Sequence, residues 1–434
     1  MLEDRRDTIM ILNGLCYIAS SVANSDIPQT NVEEMLLSPL LPIFNAVASR
    51  QSTNNNQSSA NISSADLMFA CKCLEVIFTS YKPLSYTSID GGVELGWHSL
   101  LFIEKYGQNV FSLLSYGSEV GGNLVSSSTP EDETNLEEAN ESLCKAMKSV
   151  FDNMENKVHL CNDQNKLILY VTSIVKGFGG LLVQDLNATG GRGGQNMTGY
   201  LHVFKSVLEF SVKNNVAEDV ITNAVIEIIR IILKHPNVLH ELPDACIIFC
   251  ELLSTFVKAY PQFIIKSNVI AKNIVDVISA GLTIQYQKSG RKMIKVAEDC
   301  FLSVITFANN ESIVLELLAP QLLYGILMAA NGNMPSNVLE EIVNSFRNLW
   351  MATSDELMQS VLRRIMTINT FPSVKTKEKT KELFVVQIIC DECRRSKARF
   401  KKLLKAFCGG KKKREKMRAA SLQKKQLEQQ LKQL

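Results

Sequence analysis

The chain has 434 residues, of which 46% are hydrophobic and 21% charged, with a formal net charge of +2. That length exceeds the size at which one compact core stops growing, so two domains or an elongated array of small units is expected. The apolar runs are broken by Lys, Asp, Glu or Asn before membrane-spanning length, so no membrane insertion is expected.

The first helix is expected over residues 4–23, and a second over 31–49, kinked or restarted by Pro39 and Pro42. Residues 1–50 thus form an N-terminal helical pair, followed by a low-complexity loop over 51–63 that is too polar to bury itself. The N-terminus mixes charges of both signs and has no small-residue cleavage site, so no secretory signal is expected. A helix over 64–81 follows, with Leu67, Cys71, Leu74 and Phe78 on one face. Another is read over 91–116, and a Ser/Gly/Pro linker lies near 117–130. The acidic run Glu131-Asp-Glu opens a helix reaching about 156, where carboxylates suit the positive end of the helix dipole. A helix over 160–175 closes this irregular block of repeats, 64–190, and Gly190-Gly-Arg-Gly-Gly194 interrupts the pattern.

From 191 to 408 the rhythm is regular. Helix pairs are expected at 196–213 with 216–234, 242–259 with 263–282, 290–308 with 311–330, 335–351 with 354–369, and 375–391 with 393–408. First helices start about 40 to 48 residues apart, the spacing of HEAT and armadillo repeats. The expected fold class is all-α: a HEAT/armadillo-like helix-pair solenoid, or superhelix. Each pair carries an apolar stripe too wide to bury within itself, so neighbours stack, and the curved stack offers a groove to a macromolecule.

Charge is distributed unevenly. Residues 373–434 carry 20 Lys and Arg against 6 Asp and Glu, a net +14, which leaves −12 on residues 1–372. An acidic body favours basic partners and a basic tail favours anionic ones. The tail, 409–434, holds Lys411, Lys412, Lys413, Arg414 and Lys416, a possible partner-binding or targeting run. Its low aromatic content argues against stacking on bases, so nucleic acid is not expected as the partner. Phe400 and Phe407, seven residues apart, mark the preceding helix as one that docks an apolar face.

No catalytic residue, cofactor-binding residue or metal ligand is assigned. The Gly-rich run lacks the Gly-Lys-Ser/Thr ending of a phosphate loop, and Cys390-Asp-Glu-Cys393 has no second ligand pair at finger spacing. The eleven cysteines, including Cys16, Cys144, Cys246, Cys250 and Cys300, mostly lie in apolar helical stretches, where free thiols pack as small hydrophobes in a reducing compartment. The five histidines form no metalloprotease arrangement, so an enzyme is not expected.

Two local patterns add a family. Phe256-Val-Lys-Ala-Tyr260-Pro261-Gln-Phe263 resembles the Phe-x-x-x-Tyr-Pro element between paired helices in the importin-13 and transportin-3 branch of the β-karyopherins. The helix from Phe400 to Lys411 is similar to the short aromatic-bearing final helix of several transport receptors. The resemblance, carried mainly by residues 196–411, is to the C-terminal half of an importin or exportin. It implies a superhelix that carries protein cargo between cytoplasm and nucleus, binds the Ran GTPase and touches Phe-Gly repeats of nucleoporins. No residue is carried over as a Ran contact. The alternative is a cytoplasmic HEAT or armadillo scaffold subunit that organises a protein complex.

Overall fold

A computed structural model describes residues 2–22, 36–37, 40–43, 63–80, 129–154, 164–189, 194, 196–308, 313–368, 372 and 377–408. The helix expected over 91–116, the loop 51–63, the linker near 117–130 and the tail 409–434 lie wholly or almost wholly outside these residues. Among the described residues every regular element is a helix. They form two compact units, residues 1–225 and 226–434.

The first unit contains α1 (Leu2–Val22), α2 (Ser64–Ser80), α3 (Pro130–Met154), α4 (Gln164–Ala188) and α5 (Met197–Asn214). Helix α2 packs on both α1 and α3, and α5 packs on both α3 and α4. The face of α2 read from the sequence, Leu67, Cys71, Leu74 and Phe78, is buried as a unit. Arg5 of α1 pairs with Asp66 of α2 and lies 5.6 Å over the Phe69 ring. Phe151 and Phe210 join α3 to α5 edge to face at 5.4 Å. The helices approach closely at Gly199, where an added Cβ would stand 3.0 Å from the Cys144 Sγ.

Helix α4 differs from expectation: it does not stop near 175 but runs to Ala188 through Gly177, Gly179 and Gly180. A helical Gly costs about 1 kcal/mol against Ala. Burial of Phe178, Leu181, Leu182 and Leu186 at helical spacing outweighs that cost, and Phe178 meets Tyr200 of α5 at 5.9 Å. Residues Leu167–Asn187 are also long and apolar enough, by length and composition, to cross a membrane, contrary to the sequence reading of short runs. The buried side of this stretch is held against α5 as a member of the stack.

Helix α6 (Glu218–Lys234) spans the unit boundary. It is entered through a tight turn in which Asn215 and Ala217 take positive φ of 52° and 56°. Val216, buried between them, accepts the Ser211 hydroxyl through its carbonyl.

The second unit continues with α7 (Pro243–Ala259), α8 (Asn268–Gly281), α9 (Gln287–Ala308), α10 (Ile313–Met328), α11 (Leu339–Met351), α12 (Asp355–Met366), α13 (Glu378–Ile388) and α14 (Lys397–Phe407). Helices α7, α9, α11 and α14 pack in succession as one layer, and α8, α10, α12 and α13 as the other. Each helix therefore leans on its counterpart in the next pair, the arrangement of a helical-repeat solenoid. The last pair enters in reverse order, because α13 packs on α12 and α14 returns to α11.

Several expected helices are divided by serine caps. The helix read over 263–282 is a short turn, Pro261–Lys266, followed by α8, because extended Ser267 accepts the Ile270 N–H. Ser396 does the same for Arg399, separating the turn Asp391–Arg395 from α14. Between α10 and α11 the chain passes through a π turn, Ala329–Asn333, with Gly332 at φ 115°, so α11 starts at Leu339 rather than near 335.

Candidate interaction surface

The first layer of the second unit is cross-linked by polar groups. Asp299 of α9, 4% exposed, accepts from Ser254 and from the Lys258 ammonium at 2.7 Å, both on α7, and lies 3.3 Å from Lys295. The adjoining Glu298 accepts from Asn348 of α11 at 3.0 Å and from Lys295 at 3.1 Å. One buried acidic pair thus ties three successive first-layer helices.

The same construction repeats along the layer. Lys292 of α9 reaches Glu251 of α7 at 2.9 Å, and Arg291 reaches Glu341 of α11 at 2.7 Å. Glu340 of α11 takes both Lys397 and Lys401 of α14, whose hydrogen bonds hold its carboxyl down at about 2. Arg347 donates to the Arg394 carbonyl at 2.6 Å, while the Arg394 guanidinium sits 5.8 Å over Trp350 and 3.5 Å from Asp355. Trp350 in turn donates its indole N–H to Asp355 at 2.7 Å. Such pairs discriminate between registers more than they add net stability.

These internal pairs relocate the acidic surface read from the sequence. Glu251, Glu298, Asp299, Glu340, Glu341 and Asp355 are already engaged by the chain's own cations. Asp276 of α8, Glu356 of α12 and Glu382 of α13, in the second layer, and Asp244 of α7, in the first, have no cation within 4.0 Å among the described residues. The second layer exposes Val269 on α8 and Leu383 and Val386 on α13, and the first exposes Phe307 on α9 and Met351 on α11. On α8 and α13 of the second layer an exposed acid with no ion pair among the described residues shares the helix with exposed apolar side chains, which makes that layer a candidate protein-binding face.

The other sequence-derived residues fall as follows. Lys411, Lys412, Lys413, Arg414 and Lys416 lie outside the described residues. Phe400 is fully buried, 5.2 Å from Phe346 and 6.2 Å from Trp350, and Phe407 stacks on Phe384 at 3.8 Å, so α14 docks through its aromatic face. Phe256, Tyr260 and Phe263 form a run of ring contacts at 6.0 and 6.1 Å across the turn after α7. Cys393 is buried and its Sγ reaches the Gln387 carbonyl at 3.4 Å. Burial pushes the thiols of Cys16, Cys71, Cys73 and Cys300 up to about 12, so they pack as neutral groups at physiological pH. His240 faces the Thr283 hydroxyl at 3.2 Å.

Sequence reasoning did not single out Glu298 and Asp299. The signal was present: two adjacent carboxylates interrupt the buried series Ile294, Ala297, Phe301 and Val304 of α9. Buried Lys381, 2% exposed, was missed in the same way; it donates to the carbonyls of Met366 and Ile368 at 2.7 and 3.3 Å, at the negative end of α12.

The stacked pairs have a counterpart among solved structures. This chain is similar in fold to importin-13, in a structure described as its cytosolic state, with a TM-score of 0.59 and 14% identity over 92% of this chain. The fold is karyopherin-like. The match spans 40% of the importin-13 chain. No family model matches the sequence, and no curated protein does.

Proposed function

We propose that the protein is a nuclear transport receptor, or the cargo-binding part of one, that holds protein cargo on its stacked helix pairs. The observation that carries this reading is the fold shared with importin-13 over 92% of this chain. The ring run Phe256–Tyr260–Phe263 favours the importin-13 and transportin-3 branch. Cargo is basic, drawn by the net −12 of residues 1–372, and docks on the second-layer face near Asp276, Glu356 and Glu382. The Ran GTPase and Phe-Gly nucleoporins are its further partners, and it works in both cytoplasm and nucleus. Lys411, Lys412, Lys413, Arg414 and Lys416 form a targeting or partner-binding tail. The protein acts by binding and catalyses no reaction.

One observation favours a second reading, a cytoplasmic scaffold subunit. Several first-layer carboxylates are taken up by internal ion pairs between helices, which suits a stiff organising surface more than an acidic cargo groove. Pull-down of a basic cargo peptide at low and high salt, with and without Ran, separates the two. A receptor loses cargo on raising the salt and responds to Ran; a scaffold is indifferent to Ran.

A further inference from the structure

Among the described residues no group of three or more His, Cys, Asp or Glu is placed to hold a metal ion, so Cys390 and Cys393 stand as a pair of thiols. Cys390 is extended, with φ −132° and ψ 155°, and opens the helical turn Asp391–Arg395, where its carbonyl accepts the Arg394 N–H at 2.9 Å. Cys393 follows three residues on in that turn. Such a turn holds the two Cα atoms about 5–6 Å apart, inside the range a disulfide spans. The two thiols already interact directly.

Their access differs. Cys390 is half-buried, whereas Cys393 is buried, as is every other cysteine among the described residues. A soluble oxidant therefore meets Cys390 first, and the sulfur within reach of the product is Cys393. Arg347 of α11 serves the second step: its Nε is buried with no hydrogen-bond partner among the described residues, and its charge opposes the rise in the Cys393 pKa that burial imposes. The turn is also the joint through which α14 enters the first layer. The Arg394 carbonyl accepts from Arg347, the Arg394 guanidinium meets Trp350 and Asp355, and Ser396 caps α14.

We propose that Cys390 and Cys393 are a redox-active dithiol, in which Cys390 reacts with a low-molecular-weight disulfide and Cys393 resolves the product to an internal disulfide that locks the turn leading into α14. With oxidised glutathione, the Cys390 thiolate attacks one sulfur and expels a glutathione thiolate, leaving a mixed disulfide. Cys393 gives up its proton, and its sulfur displaces the second glutathione from Cys390. Two glutathione thiols are formed, taking the two protons that the cysteines lose, and the pair of cysteines is oxidised by two electrons.

The test treats the full chain with oxidised glutathione, blocks the remaining thiols, and maps peptides by mass without reduction. Wild type should give the Cys390–Cys393 bridge, reversed by dithiothreitol. Cys390→Ser should form no bridge and leave Cys393 free, while Cys393→Ser should keep glutathione on Cys390. Cys393→Ala replaces the serine variant if circular dichroism shows that serine disturbs the buried site. Amide exchange reads the lock: the Arg394 and Ser396 N–H groups, bonded to the Cys390 and Glu392 carbonyls, should exchange about tenfold more slowly in oxidised wild type and not in either treated variant. Cys390 left unmodified overturns the proposal, as does glutathione persisting on Cys390 of wild type beside a free Cys393. A bridge that leaves exchange at Arg394 and Ser396 unchanged overturns the lock.

Discussion

Replacing Asp299 by alanine removes the acceptor that joins α7 to α9. The carboxylate is 4% exposed and takes three donors, Ser254, Lys258 and Lys295. Both lysines are 53% exposed, so water recovers their charge and their pairs contribute little once screened. What is lost is the Ser254 hydrogen bond to a charged acceptor, about 1.5–3 kcal/mol, with a small cavity beside it. A destabilisation of about 2–3 kcal/mol is expected. Because the chain has two units, a single global transition is not the right readout. Amide hydrogen exchange over residues 243–308 reports the relevant opening, and protection there should fall by that free energy while residues 64–80 are unchanged. A cycle with Ser254→Ala should show at least ~0.5 kcal/mol of coupling. A loss below ~0.5 kcal/mol, or strict additivity of the two changes, would refute the view that this buried acid ties the helices together.

Ala217→Gly should stabilise the first unit by up to ~1 kcal/mol, seen as a higher denaturation midpoint, because the left-handed φ of 56° strains alanine and not glycine. Lys381→Met leaves the carbonyls of Met366 and Ile368 without their donor and should cost about 1–3 kcal/mol, read as faster exchange at the end of α12. Glu340→Gln should cost only ~0.2–1 kcal/mol at neutral pH, since its pairs with Lys397 and Lys401 are partly exposed. Lys397 and Lys401 hold the Glu340 carboxyl below its ordinary 4.5, so its contribution is complete above that ordinary value and is lost over the interval below it as pH falls. The stability difference between wild type and Glu340→Gln, measured by urea titration at several pH values, should close over that interval.

The helical nature of the chain and most helix positions from 197 to 366 follow from the period of the apolar residues, because burial in stacked pairs imposes that period directly. Finer breaks were less legible. Ser267 and Ser396 cap new helices inside stretches whose hydrophobic rhythm barely changes, and a single hydroxyl leaves no periodic trace. The extent of α4 was misjudged for the converse reason: its glycines suggest an end, while Phe178, Leu182 and Leu186 supply enough burial to carry the helix through. The acidic body illustrates a limit of counting charge. Net charge is additive along the sequence, but which carboxylates stay available depends on ion pairs between helices some 40 to 50 residues apart, as for Lys292 with Glu251 and Arg291 with Glu341. The docking of α14 was readable from Phe400 and Phe407, and the basic run that follows them stands as a sequence feature alone.

The most direct measurement is affinity capture on the immobilised full chain from cell lysate, in parallel with and without added GTP-locked Ran. A transport receptor retains basic proteins in one condition, exchanges them in the other, and retains Ran itself. Identical captures in the two arms, with no Ran bound, would contradict the receptor reading.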